Sequence, residues 1–262
     1  MGKNMTAGNK LTGIVLSILL LMVSTELTAD NTSDKSQSSK TGVNKQELVK
    51  LDTGKLKFDY RPPKRGAPAV RVGGGTRGTG DQLLELVVFA PDHTGLTTKE
   101  QPTLYWYTSE PVSSSLELTM INDTKIEPEL EKVIKTSGAA GIQSIKLSDT
   151  QIKLEPGIEY RWFVSVLAEK GQRSNDIVAS GTIQRIIPEG DLHKAITAAD
   201  ESGLVEVYAQ QGIWYDAIDS LSEMFRKSPG NSLLIEQYAT LLDQVGLHSA
   251  SAHIRNGNGK AK

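Results

Sequence analysis

The chain has 262 residues, of which 38% are hydrophobic and 23% are charged, and its formal net charge is −2. This length allows one large or two modest domains with a packed core. A near-neutral balance argues against a dedicated nucleic-acid-binding protein, which is usually strongly basic. The chain contains no cysteine, so disulfides, thiolate metal sites and cysteine nucleophiles are excluded.

The first 29 residues have the pattern of a secretory signal peptide. Lys3 and Lys10 precede a mostly apolar run at residues 11–23, and small Ala29 follows. A basic start, about 7–15 apolar residues and a small residue before the cleavage point are typical of a signal. A retained anchor is the alternative, but a membrane-spanning helix needs about 20 apolar residues. We therefore expect a secreted or periplasmic protein, which touches the membrane only if this segment stays uncleaved.

The next two segments are predicted to lack regular secondary structure. Residues 30–60 are polar and are expected to form a disordered spacer. Residues 61–82 are rich in proline, glycine and arginine and are expected to form an extended arm. Arg65, Arg71 and Arg77 of this arm are candidate contacts for an anionic envelope polymer, an acidic lipid or an acidic protein. The alternative is a basic linker that is simply solvated.

The glycine run of the arm raises the question of nucleotide binding. Residues 73–78, Gly-Gly-Gly-Thr-Arg-Gly, formally match the G-x-G-x-x-G pattern. That pattern holds a dinucleotide only where a strand precedes it and a helix N-terminus follows it. Here a proline-rich segment precedes the glycines and a strand is predicted to follow them. We therefore expect no cofactor, and we favour a structural or docking role for the arm.

Residues 83–188 are predicted to form a β-sandwich. Short apolar or alternating runs recur there between turn signals such as Asn-Asp and Pro-Gly. The six predicted strands lie within 83–90, 102–109, 114–122, 141–148, 157–169 and 176–186. Short strands at this spacing indicate an antiparallel sandwich or barrel.

One stretch of the sandwich is more specific. Residues 154–162, LEPGIEYRW, resemble the L-x-P-G-x-x-Y-x-[FW] stretch of fibronectin type III and related immunoglobulin-like domains. The resemblance implies a tyrosine corner, in which the Tyr160 hydroxyl bonds to the backbone upstream, and a core position for Trp162. An ordinary Pro-Gly turn before a strand is the alternative, and it also leaves the region β.

An aromatic cluster, Tyr105, Trp106 and Tyr107, lies in the second predicted strand. Alternation places the two tyrosines on one face of the strand and Trp106 on the other. One face belongs to the core. The other either forms an aromatic platform for a sugar or protein partner or is covered by helices. We favour the cover, because the helices that follow need an apolar surface to pack on.

Residues 189–248 are predicted to be helical, with a disordered tail at 249–262, because apolar residues recur there at helical spacing. The stretch from Tyr208 to Pro229 resembles a tetratricopeptide repeat, with small Ala217 where two helices approach and proline ending the second helix. A single repeat cannot bury its own apolar face. We expect it to pack on the β region or on a partner, and Trp214 on that face is a further candidate interaction residue.

The chain as a whole resembles a bacterial family of unknown function, family 928, which is frequent in filamentous cyanobacteria. The resemblance is carried by four stretches in order: KRGAPAVRVGGGTRG (64–78), GLTTKEQPTLYWY (95–107), EYRWFVSV (159–166) and YAQQGIWYDAIDSL (208–221). It implies an extracytoplasmic address and a layout of strands followed by helices. It implies no catalytic residues, because the family has no established activity. The expected fold class is α+β, an immunoglobulin- or fibronectin III-like sandwich followed by a small repeat-like helical region.

No catalytic or metal-binding motif stands out in the sequence. The four histidines are scattered without an H-x-x-x-H pair, and no G-x-S-x-G elbow occurs. We therefore favour a non-enzymatic binding or assembly module at the cell envelope, with an unknown protein or envelope polymer as partner, and we expect no metal. The alternative is a hydrolase of envelope polymer that uses loop residues such as Asp92 and His93.

Overall fold

The computed structural model describes residues 58–63, 71–72, 84–122, 124–134, 138–168 and 173–257. These residues contain eight strands followed by five helices, so the described part is a mixed α+β structure. The predicted signal peptide, most of the spacer and most of the arm, including Arg65 and Arg77, lie outside the described residues.

The strands all lie between residues 86 and 185. They are β1 (Leu86–Val88), β2 (Gly95–Thr97), β3 (Thr103–Thr108), β4 (Leu116–Asn122), β5 (Leu130–Ile134), β6 (Gly141–Lys146), β7 (Glu159–Val166) and β8 (Ile177–Arg185). Each of the six predicted runs contains a strand, and β2 and β5 are additional. We call β1 to β8 the two-sheet region.

The strands form two sheets, with the orders β1-β3-β6 and β2-β8-β7-β4-β5. Neighbouring strands are antiparallel except for β2 and β8, which run parallel with Gly95 opposite Ile183. The expectation of a wholly antiparallel arrangement is wrong at this pair. A parallel pair needs a long connection, and the five strands β3 to β7 lie between β2 and β8 along the chain.

The core of the two-sheet region comes from strand alternation. In β4, Leu116, Leu118 and Met120 are buried and the residues between them are half-exposed. Such a pattern places one face of a strand against the core and the other toward solvent. All six residues of β3 are buried, which shows that this strand is covered on both faces.

The Pro-Gly turn before β7 has the contact that the fibronectin resemblance implies. The backbone N–H of Glu155 donates to the Tyr160 hydroxyl at 3.2 Å. Gly157 has a φ of 78°, a conformation that glycine adopts without strain. Tyr160 and Trp162 are both fully buried, so this turn is fixed to the core on its strand side.

Five helices follow the strands. They are α1 (Gly190–Ala198), α2 (Glu201–Gln210), α3 (Trp214–Lys227), α4 (Ser232–Asp243) and α5 (His248–Gly257), and together we call them the helical region. Two begin with side-chain caps: Asp200 accepts from the N–H of Gly203 before α2, and Asn231 accepts from two N–H groups of α4. These oxygens satisfy N–H groups that have no partner within a helix.

The last helix corrects the prediction of a disordered tail from residue 249 onward. Residues 249–257 belong to α5, which packs on α4. Its apolar face consists of only Ala250 and Ile254, four residues apart. Two apolar residues in a mostly polar segment are too few to indicate a helix from the sequence alone. Arg255 strengthens the contact, because its guanidinium bonds Glu236 at 2.9 Å and Asp243 at 2.8 Å.

Candidate functional site

The first turns of α3 join the helical region to the two-sheet region. Trp214 is fully buried, and its indole N–H donates to the carbonyl of Phe89 at 2.9 Å. The Tyr215 hydroxyl accepts from the indole N–H of Trp162 at 2.8 Å and donates to the carbonyl of Thr182 at 2.9 Å. Buried indole and phenol groups need such partners. We call the contacts between α3 and the strands the sheet–helix interface.

Tyr215 approaches the backbone of β2 closely. A Cβ atom added to Gly95 would lie 2.6 Å from Cε2 of the Tyr215 ring. Real carbon atoms without a bond do not approach so closely, so only glycine lets β2 and α3 reach this separation. The glycine that opens the stretch 95–107 therefore has a packing role at the sheet–helix interface.

A buried carboxylate lies next to Tyr215. Asp216 is fully buried, and its Oδ1 accepts from the Thr97 hydroxyl at 2.6 Å. Its Oδ2 accepts from the backbone N–H of Thr98 at 2.8 Å and also from the hydroxyl of that residue. Burial raises the pKa of Asp216, while these hydrogen bonds and the charge of Lys99 act in the opposite direction. Removing the Thr97 hydroxyl would leave the buried Oδ1 without its hydrogen-bond donor.

A second carboxylate follows one helical turn later. The Tyr105 hydroxyl donates to Oδ1 of Asp219 at 2.7 Å, and the ammonium of Lys99 pairs with Oδ2. Burial acts to raise the pKa of Asp219, but the charge and hydrogen bond of Lys99, with the bonds from Tyr105 and Thr103, outweigh it. The net pKa of Asp219 is therefore lowered, and this carboxylate is ionised at neutral pH.

The two carboxylates are three residues apart, so they lie on one face of α3. Both contact the segment between Thr97 and Tyr105. The stretches 95–107 and 208–221, which carry much of the family resemblance, are thus joined to each other. The charged and hydroxyl side chains of these two stretches fix α3 on the two-sheet region. Side chains of these types can also serve in catalysis, but here they have a structural role.

The histidine of the hydrolase hypothesis lies beside Tyr60. The Tyr60 hydroxyl is 2.8 Å from Nε2 of His93, and Nδ1 of His93 is 3.2 Å from the Asp92 carboxylate. The Tyr60 ring also packs edge-on against Trp214, with the centroids 5.0 Å apart. Burial, assisted by the charge of Asp92, raises the pKa of Tyr60. The Tyr60 phenol therefore stays protonated at neutral pH.

Residues 58–61 follow the surface of the helical region. Phe58 and Tyr60 are buried, although the predicted spacer includes them. The side-chain amide of Gln244 bonds both, accepting from the Tyr60 N–H at 2.6 Å and donating to the Phe58 carbonyl at 2.9 Å. The N–H of Arg61 donates to the carbonyl of Ala209 at 3.0 Å, at the end of α2. The last residues of the predicted spacer are therefore packed on the helical region, contrary to the expectation of disorder for residues 58–60.

Arg71, one of the three arginine candidates, is used inside the molecule. Its guanidinium donates to the carbonyls of Ala90 at 3.0 Å, Val245 at 2.8 Å and Gly246 at 3.3 Å. Two of these carbonyls follow α4, where a cation is favourable. Burial lowers the pKa of Arg71, with the charge of Asp92 acting against this effect. Arg71 thus docks the arm on both regions, and the expected roles of Arg65 and Arg77 remain predictions.

The aromatic candidates are internal. Tyr105 and Tyr107 are each 9% exposed, while Trp106 and Trp214 are 1% or less exposed. Tyr107 packs against His253 of α5 with ring centroids 5.2 Å apart. The interpretation that helices cover this strand therefore agrees with the structure. The alternative of an aromatic platform at this strand does not, because these rings are almost fully buried.

The sheet–helix interface opens to solvent in a cleft of about 500 Å³. It lies between β3 and β6 on one side and α3 and α4 on the other. Its lining combines hydroxyl, amide, charged and aromatic side chains: Thr103, Tyr105, Ile142, Gln143, Ser144, Lys146, Ser222, Glu223, Phe225, Arg226 and Tyr238. A volume of about 300–1,000 Å³ is typical of ligand sites.

The described residues offer neither a metal-binding cluster nor a membrane-spanning helix. Within these residues, no group of three or more histidine, aspartate or glutamate side chains is placed to hold a metal ion. Over the same ranges, no helix is both long and apolar enough to span a membrane.

Sequence reasoning missed the polar residues of the sheet–helix interface: Thr97, Thr98, Lys99, Asp216 and Asp219. A signal was present, because the two acids interrupt the apolar face of a predicted helix at helical spacing. The Thr-Thr-Lys run at residues 97–99 gave no such signal. Its side chains bond Asp216 and Asp219 only in the folded chain, at the end of β2.

These features define a class: a mixed α+β protein in which a helical region is fixed on two sheets by buried aromatic and acidic side chains. The family model for the Domain of Unknown Function (DUF928) matches residues 72–254. The chain belongs to that family.

The other comparisons add little. No curated protein matches the chain. Among solved structures, a multi-domain immunophilin from Arabidopsis thaliana is 8% identical, with 75% of this chain and 100% of that chain covered and a TM-score of 0.17. A TM-score this low carries no argument about fold or function.

Proposed function

We propose that this protein is a non-enzymatic binding or assembly module of the bacterial cell envelope. One observation carries the proposal: the motif side chains that could do chemistry are spent on fixing α3 to the strands. Asp216 and Asp219 each accept several hydrogen bonds from the two-sheet region. The result is a scaffold with an open cleft at its sheet–helix interface, which suits binding better than catalysis.

We infer that the two-sheet region is an immunoglobulin-like sandwich of the fibronectin III type. Its first, third and sixth strands share one sheet, and its fourth, seventh and eighth share the other. Strands that alternate between sheets in this way support Greek-key connections. The hydrogen bond from Glu155 to Tyr160 supports the same inference. Domains of this architecture often serve binding at cell surfaces.

We also infer that α2 and α3 form a single unit of tetratricopeptide type. Ala217 is fully buried, and α2 packs against α3. Gly212, between the helices, has a φ of 72°. A lone unit of this kind cannot bury its apolar face by stacking on copies of itself. Packing on the sheets replaces that stacking.

The envelope location rests on the signal-like N-terminus. Expression of the full chain in a bacterial host, followed by fractionation, tests it directly. We expect the protein in the periplasmic or extracellular fraction, shortened by about 29 residues of signal. A full-length protein in the cytoplasmic fraction would contradict the location, and a full-length protein in the membrane fraction would indicate a retained anchor.

The binding role is tested by cosedimentation of the purified protein with isolated envelope polymer, and by affinity capture from envelope fractions. We expect saturable retention that competes with unlabelled protein. The control is the same protein unfolded in urea, whose composition and net charge are unchanged. Equal retention of the folded and unfolded protein, or no retention on any partner, would overturn the proposed function.

A further inference from the structure

The depressions on the described surface differ in their linings. One of about 730 Å³ lies beside the edge strand β5. There Lys132, opposite core residue Leu118, bonds the carbonyl of Asp149 at 2.7 Å. An inward-facing charge on an edge strand protects it from pairing with another strand. A second depression on α4 is lined in part by Phe58 and Asp59. The cleft at the sheet–helix interface is lined by strand and helix residues and combines charged, aromatic and hydroxyl side chains.

Resting on the binding function proposed above, we propose that this cleft binds an acidic sugar unit of a polysaccharide. The cleft has a rim of cations, a partly exposed aromatic wall, and a floor of hydroxyl groups. A carboxylated sugar presents the three complementary features: a negative charge, an apolar ring face and several hydroxyls.

The charges of the rim favour an anion. Lys146 ends β6 and is exposed, and within the described residues it forms no ion pair. Arg226 is also exposed and pairs with Glu223 one helical turn away. Two cations and one anion leave the rim with one net positive charge. A sugar carboxylate would give Lys146 a partner through a charge-assisted hydrogen bond.

The aromatic wall supplies the apolar contact. Phe225 is half-buried and packs edge-on against Tyr238, with the ring centroids 5.8 Å apart. Tyr238 is fully buried, so this contact holds the Phe225 ring in place. A fixed ring with one open side can cover the apolar face of a sugar at little entropic cost.

The floor supplies hydroxyl groups with fixed roles. The Tyr238 hydroxyl shares a hydrogen bond with Ser222, and the Tyr105 hydroxyl donates to Asp219. Burial is the main cause that raises the pKa of both tyrosines, so both phenols stay neutral. Ser144 and Gln143 of β6 lie at the side of the cleft. Neutral hydroxyls and amides match the mixed donors and acceptors of a sugar.

The test is isothermal titration calorimetry of the purified protein with an oligogalacturonate of about six sugar units. We expect binding that weakens as salt is raised, because the rim charges are exposed. Lys146→Gln should weaken it about threefold to tenfold, the effect of one exposed charge-assisted contact. Phe225→Leu, which keeps an apolar side chain, should also weaken it. The matched control Lys194→Gln removes an exposed lysine of α1 and should change nothing.

Several outcomes would overturn the inference. Equal binding of neutral maltohexaose would exclude the acidic class, and preferential binding of hexaglutamate would make the ligand a peptide. An unchanged affinity of Lys146→Gln would place the site elsewhere. If that variant keeps full retention on envelope polymer, the cleft inference fails while the proposed function stands. If the wild-type protein is not retained on any envelope partner, the proposed function fails, and the cleft inference that rests on it fails too.

Discussion

Helices α1 and α3 show what fixes a helix to this protein. None of the nine residues of α1 is buried, whereas seven residues of α3 are. Both sequences carry apolar residues at helical spacing. The difference is that Trp214, Tyr215 and Asp216 meet hydrogen-bonding partners on the strands, while α1 has an exposed ion pair between Asp191 and Lys194. Amphipathic spacing therefore predicts that a segment is helical. The hydrogen-bonding groups of its buried side chains determine whether the helix is fixed to the strands.

The largest effect is expected from Trp214→Ala, which removes a main contact between α3 and the strands. The change removes a fully buried indole together with its hydrogen bond to Phe89. Large aromatic truncations in a core cost about 3–5 kcal/mol, so the free energy of unfolding in urea should fall by that amount. The corresponding change in α1 is Leu192→Ala, which should cost only about 1 kcal/mol, because Leu192 is half-buried against the core and loses less apolar contact. Equal losses for the two variants would show that α1 is anchored as firmly as α3.

The next effect depends on pH and tests Asp219. Asp219→Asn removes the partner of Lys99 and should cost about 1–3 kcal/mol at pH 7. The folded pKa of Asp219 is lowered, so its contribution is complete above the unfolded pKa of about 3.9 and is lost as pH falls further. The difference between wild type and variant should therefore shrink below about pH 4. The exposed control Asp191→Asn should change stability by less than about 0.5 kcal/mol at every pH.

Much of the fold follows from sequence, and the exceptions have a common cause. The six predicted strands all contain observed strands, because their alternation or continuous apolar character is clear. β2 has three residues, and β5 has the sequence LEKVI, in which charged residues stand among the apolar ones and no residue is fully buried. Neither segment carries enough apolar signal to be recognised alone. Each forms because a neighbouring strand offers an edge, which is a tertiary effect that local pattern does not contain.

The site was harder to predict than the fold. Tyr105 and Trp214 were selected for their aromatic character, and the structure shows that the same character places them inside. Asp216 and Asp219 were overlooked, because an acid in a helix usually faces solvent. Their roles depend on the segment at Thr97, more than a hundred residues earlier. Only the assembled interface brings these groups together, so their spacing on the predicted helix could mark the two acids as unusual but could not show what they contact.

A smaller effect is expected at Arg71, which anchors α4 as the strands anchor α3. Arg71→Gln removes the guanidinium that bonds the carbonyls of Val245 and Gly246 and should cost about 1 kcal/mol. A local readout exists, because the N–H of Ser180 donates to the carbonyl of the next residue, Val72. Hydrogen exchange at Ser180 should accelerate in the variant. The exposed control Arg226→Gln should leave that exchange unchanged, and acceleration there would mean that any lost arginine loosens the fold.

The smallest effect tests whether the helices unfold together or separately. Asp200 lies between α1 and α2 and caps α2 through the N–H of Gly203 at 2.7 Å. Asp200→Ala should cost about 0.5–1 kcal/mol, while Thr197→Ala in α1 should cost less. Since α3 is anchored to the strands and α1 is not, hydrogen exchange should accelerate in α1 and the first turn of α2 only. Equal acceleration in α3 would show that α1 to α3 open as one unit, and the anchoring contrast between α1 and α3 would then have no dynamic consequence.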